Sequence, residues 1–564
     1  MQTSLEFPVR FSKEAYAYGD RSDGGTHGIV LTKPHVVELI LDLAGYTTDK
    51  NLAELRLLEP SCGLGAFLVP AVQRLLESAR AHGRDPSTLS AAVVGFDIEE
   101  THVERTREAL IGTLEKHGVV PDTARELAEQ WVQRADYLLQ PLEQDFDVVV
   151  GNPPYVRIEQ LSPALQAEYR RRFATVFDRA DLYVAFIERS LHLLSPKGVL
   201  SFVCADRWIL NRYGAPLREL VTSGFELRTY VDLHKASPFE AEVVAYPSIF
   251  VIAREKVGAP TRVVSLAEAS PSECIALRAQ LAGSIASHVG VVSSDYPLWF
   301  TGADPWVLSS PGHLSALREL EARLPLLEAS GGSTSVKIGV ASGNDSIFIV
   351  PSDADIESDR LVPLVMREDI ERGKVKDGRR CVINTFESKG TIDLEKYPRL
   401  NEYFSKHSAA IKRRHVAQKN KTGWFRTIDR VYPELVSRPK LLIPDIAGAN
   451  EVVYELGRYY PHHNLYFLIS DVWDLEVLGG LLSSRVALFF VWCYAVKMRG
   501  GYLRFQAQYL RRIRVPQPES MSEDLKGQIR TAFRKRDFTA LDELSRVAYG
   551  LLEIPTFDFV DTRK

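Results

Sequence analysis

Cysteine is scarce in this chain of 564 residues: Cys62, Cys204, Cys274, Cys381 and Cys493 stand far apart, with no C-x-x-C pair among them. That excludes a disulfide framework or a zinc ribbon, and buried free thiols are the expectation. Long apolar runs are missing too. No stretch approaches the roughly 18 residues of a membrane span, and the N-terminus has no apolar core of signal-peptide length, so a cytoplasmic protein without a membrane partner is expected. Charge of one sign is equally short, with a net value of −4. A protein that coats nucleic acid indiscriminately is excluded, while a local basic groove is not. Low-complexity segments and internal repeats are absent. What remains, 45% hydrophobic and 25% charged residues, is the composition of a globular protein of two or three domains.

From about residue 54 to 255 strand-like and helix-like runs alternate. "ELRLLEP", "AAVVGFDIE", "DVVVGNP", "GVLSFVCAD", "FELRTYVDL" and "YPSIFVIAR" read as strands, and "HVERTREALIGTLEKHG" and "DLYVAFIERSLHLLSPKG" as amphipathic helical stretches. Such alternation predicts an α/β fold with a mostly parallel, doubly wound sheet, whose ligands bind at the carboxyl ends of the strands. The Pro/Gly-marked "GAPTRVV" reads as a connection, so residues 1–258 form one domain, 259–300 a connection, 301–518 a less regular α+β domain and 519–564 a helical tail.

The strand ends carry the chemistry. "EPSCGLGAFL" sets Glu59, Ser61, Gly63 and Gly65 between a strand and a helix, where glycine lets a backbone pass close to a ligand and the helix offers unpaired amides. The next strand ends at Asp97, followed by Ile98; a carboxylate there can accept both hydroxyls of a ribose. A G-x-G turn and a strand-end acid each have structural readings alone, and together they favour a nucleoside. A phosphate-rich ligand is disfavoured because the loop lacks the Gly-Lys-Ser/Thr of a P-loop. At the third strand end, Asp136 can accept from an exocyclic amine and Tyr137 can cover a purine face, or Asp136 is a surface turn residue.

These segments, followed by "GNPPYVR", resemble in order the motifs of amino-methylating S-adenosylmethionine-dependent methyltransferases, and most closely the TaqI-like, gamma-class adenine-N6 DNA methyltransferases. "GIVLTKPHVVELILDL" at residues 28 to 43 is similar to the family's G-x-x-x-T-P element, with Lys33 inserted between Thr32 and Pro34. "GGYLRFQAQYLRRIRVP" is similar to the closing segment of the group's target-recognition domains. The resemblance implies a Rossmann-like catalytic domain followed by a target-recognition domain, S-adenosylmethionine as methyl donor, no metal, and double-stranded DNA as partner. Thr32, Glu59, Ser61, Gly63, Gly65, Asp97, Ile98, Asp136, Tyr137 and Phe186 are then cofactor residues, and Asn152, Pro153, Pro154 and Tyr155 the catalytic elbow. A second aromatic should clamp the flipped base, with Tyr246 as candidate and Phe250 in reserve. The same elbow occurs in enzymes that methylate RNA bases or protein glutamine, which is the rival enzymatic reading. An inactive DNA-binding specificity subunit is the rival from another class.

Between residues 396 and 440 twelve Lys or Arg face three acids, with Tyr397, Tyr403, Phe404, Trp424 and Phe425 among them. Lys412, Arg413 and Arg414 are the expected phosphate contacts there. His462 and His463 lack a neighbour at ligand spacing and read as loop residues. Residues 1–27 are too few for a fused nuclease, so a separate restriction endonuclease is the partner left open, and a monomer on DNA is expected.

Overall fold

The computed structural model describes residues 30–142, 145–241, 246–284, 287–297, 299–328, 333–376, 378–447, 451–495 and 503–557. The chain divides into two compact units, Met1–Pro311 and Gly312–Lys564.

In the first unit nine strands form one sheet: β1 (Leu57–Glu59), β2 (Val93–Asp97), β3 (Val132–Arg134), β4 (Phe146–Gly151), β5 (Leu194–Ala205), β6 (Glu226–Asp232), β7 (Pro247–Ala253), β8 (Thr261–Leu266) and β9 (Val291–Tyr296), in the order β3-β2-β1-β4-β5-β7-β6-β8-β9. β1 to β5 pair in parallel, whereas β7 runs antiparallel to both β5 and β6 and β9 antiparallel to β8. The central strands are mainly apolar and buried, as strands covered by helices on both faces are; β7 is buried at every position. Helices α1 (Pro34–Leu43), α2 (Leu68–Ala81), α3 (Glu100–Lys116), α4 (Pro121–Trp131), α5 (Pro163–Arg172), α6 (Tyr183–His192), α7 (Ala215–Gly224) and α8 (Pro271–Leu281) connect them. α2 shows why they form: Leu68, Ala71, Val72, Leu75, Leu76 and Ala79 recur at helical spacing and are all buried.

Residues 259–300 are not a connection, because they supply β8 and β9 to the sheet. "GAP" is a turn inside the unit, held by the Glu226 carboxylate, which accepts from the Gly258 and Ala259 amides at 2.7 and 3.1 Å.

The second unit is α+β. One four-stranded antiparallel sheet runs Thr334–Ile338, Leu465–Ser470, Lys440–Pro444, Val453–Glu455, and another orders Ile349–Pro351, Arg380–Ile383, Leu361–Val365 and Tyr460–Pro461. The expected tail is part of its core. Helix Glu523–Lys535 packs so closely on Leu475–Leu482 that a Cβ at Gly479 would stand 2.6 Å from the Phe533 ring. No helix among the described residues is long and apolar enough to cross a membrane.

Candidate active site

β1 lies between β2 and β4, so the strand order reverses there and the loops after β1 and β4 leave a crevice at their carboxyl ends. A pocket fills it. Thr32, Glu59, Ser61, Gly63, Asp97, Ile98, Asp136, Tyr137 and Phe186 line it together with Asn152 and Pro154 of the elbow. Sequence positions more than a hundred residues apart thus meet at one cavity.

The glycine loop is shaped by backbone conformation. Gly63 and Gly65 have φ of +51° and +82°, left-handed values that L side chains resist, and a Cβ on Gly65 would crowd Thr106 at 3.2 Å. The loop and the acid of the next strand hold each other: the Gly63 amide donates to Asp97 Oδ2 at 2.9 Å, the Glu99 amide to Oδ1 at 2.9 Å, and His102 Nδ1 lies 3.1 Å from Oδ1. Asp97 is therefore oriented before any ligand arrives, and His102 and Glu99 are site residues that sequence reading missed. Asp136 is fixed likewise, by the Leu138 amide at 2.9 Å and by the Tyr169 hydroxyl at 2.7 Å. Tyr169 comes from α5, the helix after the catalytic elbow, and also lines the pocket. Tyr137 is wall rather than lid: its ring packs between Phe96 and Phe186, at 5.9 and 5.3 Å, and its hydroxyl meets Ser190.

Glu59 is 1% exposed, and its Oε2 has no hydrogen-bond partner among the described residues. Burial, and then the charge of Asp97, hold its carboxyl well above the ordinary range, against a smaller pull from the Leu68 amide. The folded protein therefore keeps a proton that the unfolded chain releases above about pH 4.3, and this group's contribution to stability falls as pH rises from there toward the folded-state value. Glu59→Gln should flatten that slope in melting curves of the ligand-free protein taken from about pH 5 to pH 8. An unchanged slope would show that Glu59 is ionised in its pocket.

The elbow begins at Gly151, whose φ of +150° lets β4 stop beside the Glu59 side chain. Asn152 then turns its amide between two environments. Nδ2 donates to the Val30 carbonyl at 2.9 Å, with Thr32 Oγ1 at 3.4 Å, while Oδ1 is buried and has no partner among the described residues. The segment that receives Nδ2 is itself pinned, by an antiparallel bridge between Thr32 and Phe239 and by the Lys33 amide on the Pro238 carbonyl at 2.9 Å.

The aromatic partners differ from expectation. Tyr155 lies outside the lining of the pocket; its buried hydroxyl is unpartnered among the described residues, and its ring packs edge-on against Phe239 at 6.1 Å and on Tyr183 at 6.4 Å. Tyr246 packs instead on His234, at 5.1 Å, under the Arg207 guanidinium. Phe250 is fully buried in β7 between Trp208 and Tyr230, which removes it from any surface role. Phe239, earlier in the same loop, is the aromatic that faces Tyr155. Only its tertiary bridge to Thr32 reveals it.

In the second unit the basic cluster thins out. Lys440 is 0% exposed and paired with Glu455 at 2.7 Å, and Arg399, Lys406 and Arg438 are paired with acids. Arg414 is turned inward, away from the expected phosphate role: its guanidinium donates to the carbonyls of Ile411, Ser342, Trp424 and Arg426 and covers the Phe348 ring, and burial lowers its pKa to about 10. Lys412 and Arg413 stay exposed, with Lys396, Lys419 and Lys421. Residues 497–502 of the closing basic stretch lie outside the described residues. His462 does have a neighbour, since Asp345 Oδ2 lies 3.1 Å from its Nε2 and His463 stands beside both.

Comparison with known proteins places this geometry. The family model described as "Eco57I restriction-modification methylase" matches residues 91–239, the stretch from β2 through the elbow to Phe239. The chain is 45% identical to the type II methyltransferase M.PaeR7I of Pseudomonas aeruginosa, over 96% of this chain and 95% of that one. With the type II methyltransferase M.XhoI of Xanthomonas vasicola it shares 44% identity, over 93% and 97% of the two chains. Among solved structures, the type IIL restriction-modification enzyme MmeI in complex with DNA superposes with a TM-score of 0.60 at 14% identity, over 93% of this chain and 74% of that one, so the likeness extends through both units as fold. With a pocket at the carboxyl ends of the strands opening onto an Asn-Pro-Pro-Tyr elbow, and relatives matched nearly end to end, the chain belongs to the type II DNA methyltransferases of restriction-modification systems.

Proposed function

We propose that this protein transfers a methyl group from S-adenosylmethionine to the N6 amine of an adenine flipped out of duplex DNA, as the modification partner of a separate restriction endonuclease. The observation that carries this reading is Asn152 Oδ1, buried, unpartnered among the described residues and aimed by the tie of Nδ2 to Val30. A buried acceptor left unmade costs about 1–3 kcal/mol, so the position favours a ligand that brings an N–H. The pocket suits the donor on similar grounds. The Glu59 carboxyl is buried with Oε2 unpartnered among the described residues, Asp97 is pre-oriented for hydroxyls, and among the described residues no cluster of Lys or Arg lines the pocket to hold phosphates. When bound, S-adenosylmethionine supplies an electrophilic methyl on a sulfonium.

The chain's own residues supply alignment. An amine conjugated to a ring has its lone pair delocalised and attacks poorly. Asn152 Oδ1 and the Pro153 carbonyl accept its two hydrogens, which biases the nitrogen toward a pyramidal nucleophile, and the proline pair keeps the acceptors stiff. Tyr155, which follows the proline pair, offers a ring on which the planar base stacks. No general base is needed in the attacking step, because the proton leaves after transfer, and alignment of this kind is worth roughly 7–11 kcal/mol.

Incubation with duplex DNA and S-adenosylmethionine, followed by nucleoside digestion and mass spectrometry, is expected to yield N6-methyladenine. 5-Methylcytosine would overturn the mechanism, since it requires a cysteine nucleophile, and all five cysteines are buried. N4-methylcytosine would keep the elbow chemistry and change only the base.

A further inference from the structure

The chain beyond the elbow builds a second feature that the methyl transfer does not use. Val156 to Ile158, directly after Tyr155, pairs with Ala180 to Leu182: the Ile158 amide donates to the Ala180 carbonyl at 3.0 Å and the Leu182 amide to the Val156 carbonyl at 2.7 Å. Because the pairing is antiparallel, the turn that leads into it stands at its far end, one short ladder away from the catalytic elbow. It is tight and held from below. The Phe177 amide donates to the Thr175 carbonyl at 2.8 Å, and Asp178 takes a φ of +56°. Such a conformation in a residue with a side chain persists only where its surroundings impose it. Glu188, buried on α6, supplies the constraint by accepting from the Ala174 and Thr175 amides at 3.2 and 2.9 Å, and Arg170 ties down the Asp178 carbonyl at 3.0 Å.

This buried effort presents an aromatic to solvent. Phe177 is 40% exposed at the tip, with the Arg212 guanidinium 5.7 Å from its ring centroid. Arg179 is exposed in the same turn, and Arg157 and Arg207, whose charges act on Asp181 in the pairing, are exposed too, against the acids Glu159, paired with Arg179 at 3.3 Å, and Asp178. A rigid turn that carries an aromatic among arginines, joined by one short ladder to a site that must extract a base, has the chemistry of a wedge: apolar side chains inserted at a base step unstack it, and arginines hold the flanking phosphates.

We propose that Phe177 is the unstacking wedge of this enzyme, entering the duplex at the target step and occupying the space the extruded adenine leaves, with Arg212 and Arg207 on the adjoining backbone. The inference rests on the adenine-flipping reading above and adds the residue that pays for the empty place in the stack.

The test places 2-aminopurine at the methylated position of a duplex carrying the site that wild-type protein modifies, and reads its fluorescence with wild type, Phe177→Ala and Phe177→Trp. Phe177→Ala should lower the flipping signal, and lower kcat/KM on the natural paired duplex by roughly ten- to hundredfold, the value of one aromatic–base stack. Phe177→Trp should keep most of both. Cofactor affinity and melting temperature should match wild type, since the ring lies at the surface. The loss should largely vanish on a duplex whose target adenine is mispaired, because the unstacking cost is already met. Wild-type flipping and rate in Phe177→Ala would overturn the wedge, as would a loss of equal size on paired and mispaired targets. Failure of the underlying reading looks different: wild type itself would then leave adenine unmethylated.

Discussion

Asn152→Ala is expected to lower the single-turnover rate of methyl transfer by about 10²–10³-fold or more, the loss seen when one pre-oriented hydrogen-bonding group is removed from a transition state. Cofactor affinity should stay within a small factor of wild type, because Asp97 and Asp136 are held by their own partners, and Glu59 by the Leu68 amide, rather than by the Asn152 side chain. The two-sided environment of the amide makes a sharper comparison available. Asn152→Asp keeps an acceptor but loses the donor to the Val30 carbonyl, so its carboxylate would face that carbonyl and swing away. It should be nearly as inactive as the alanine variant. An aspartate variant with wild-type rate would show that acceptor count, and not orientation by Val30, governs the chemistry.

Lys440→Met should be among the most destabilising single changes in the second unit, at about 3–5 kcal/mol, because it strands the Glu455 carboxylate at 1% exposure. Burial depresses the Lys440 pKa, and three acceptors satisfy its ammonium: Glu455 and the carbonyls of Val436 and Tyr459. The double variant Lys440→Met, Glu455→Leu removes both charges at similar volume and should recover most of the loss. Urea titration of the full chain, following the transition of the second unit, decides it. A single variant as stable as wild type would mean that the pair contributes nothing, and a double variant no better than the single would place the cost in packing.

Lys440 also marks where sequence reading stops. The strand–loop order of the first unit was legible because each chemical group sits at the end of the strand that carries it: Glu59 on β1, Asp97 on β2, Asp136 after β3 and Asn152 after β4. Local pattern is enough when function is indexed by strand ends. It fails for contributions that cross the fold. Tyr169 reaches Asp136 from a helix, Phe239 reaches Tyr155 through a bridge to Thr32, and His462 meets Asp345 from 117 residues away. The basic cluster is legible only in part for the same reason, since a count of charges cannot separate Lys440, buried in an ion pair, from Lys412, exposed one helix earlier. At "GAP" the turn signal was read correctly and its rank was not. Glu226 makes it a link from β7 to β8 that passes over β6 within one sheet, where composition alone suggested a border.

The bond from Asn152 to Val30 joins residues 122 positions apart, and it redraws what counts as a fragment. Deletion mapping that retained every strand of the large sheet but began after residue 33 would keep the scaffold and lose the amide's anchor. By the usual criterion of folding such a piece would pass as a catalytic domain; by that of chemistry it would be a fragment without its first motif. A nuclease or reporter fused in place of those residues would replace part of the active centre, whereas the same fusion at the far end of the chain would not touch it.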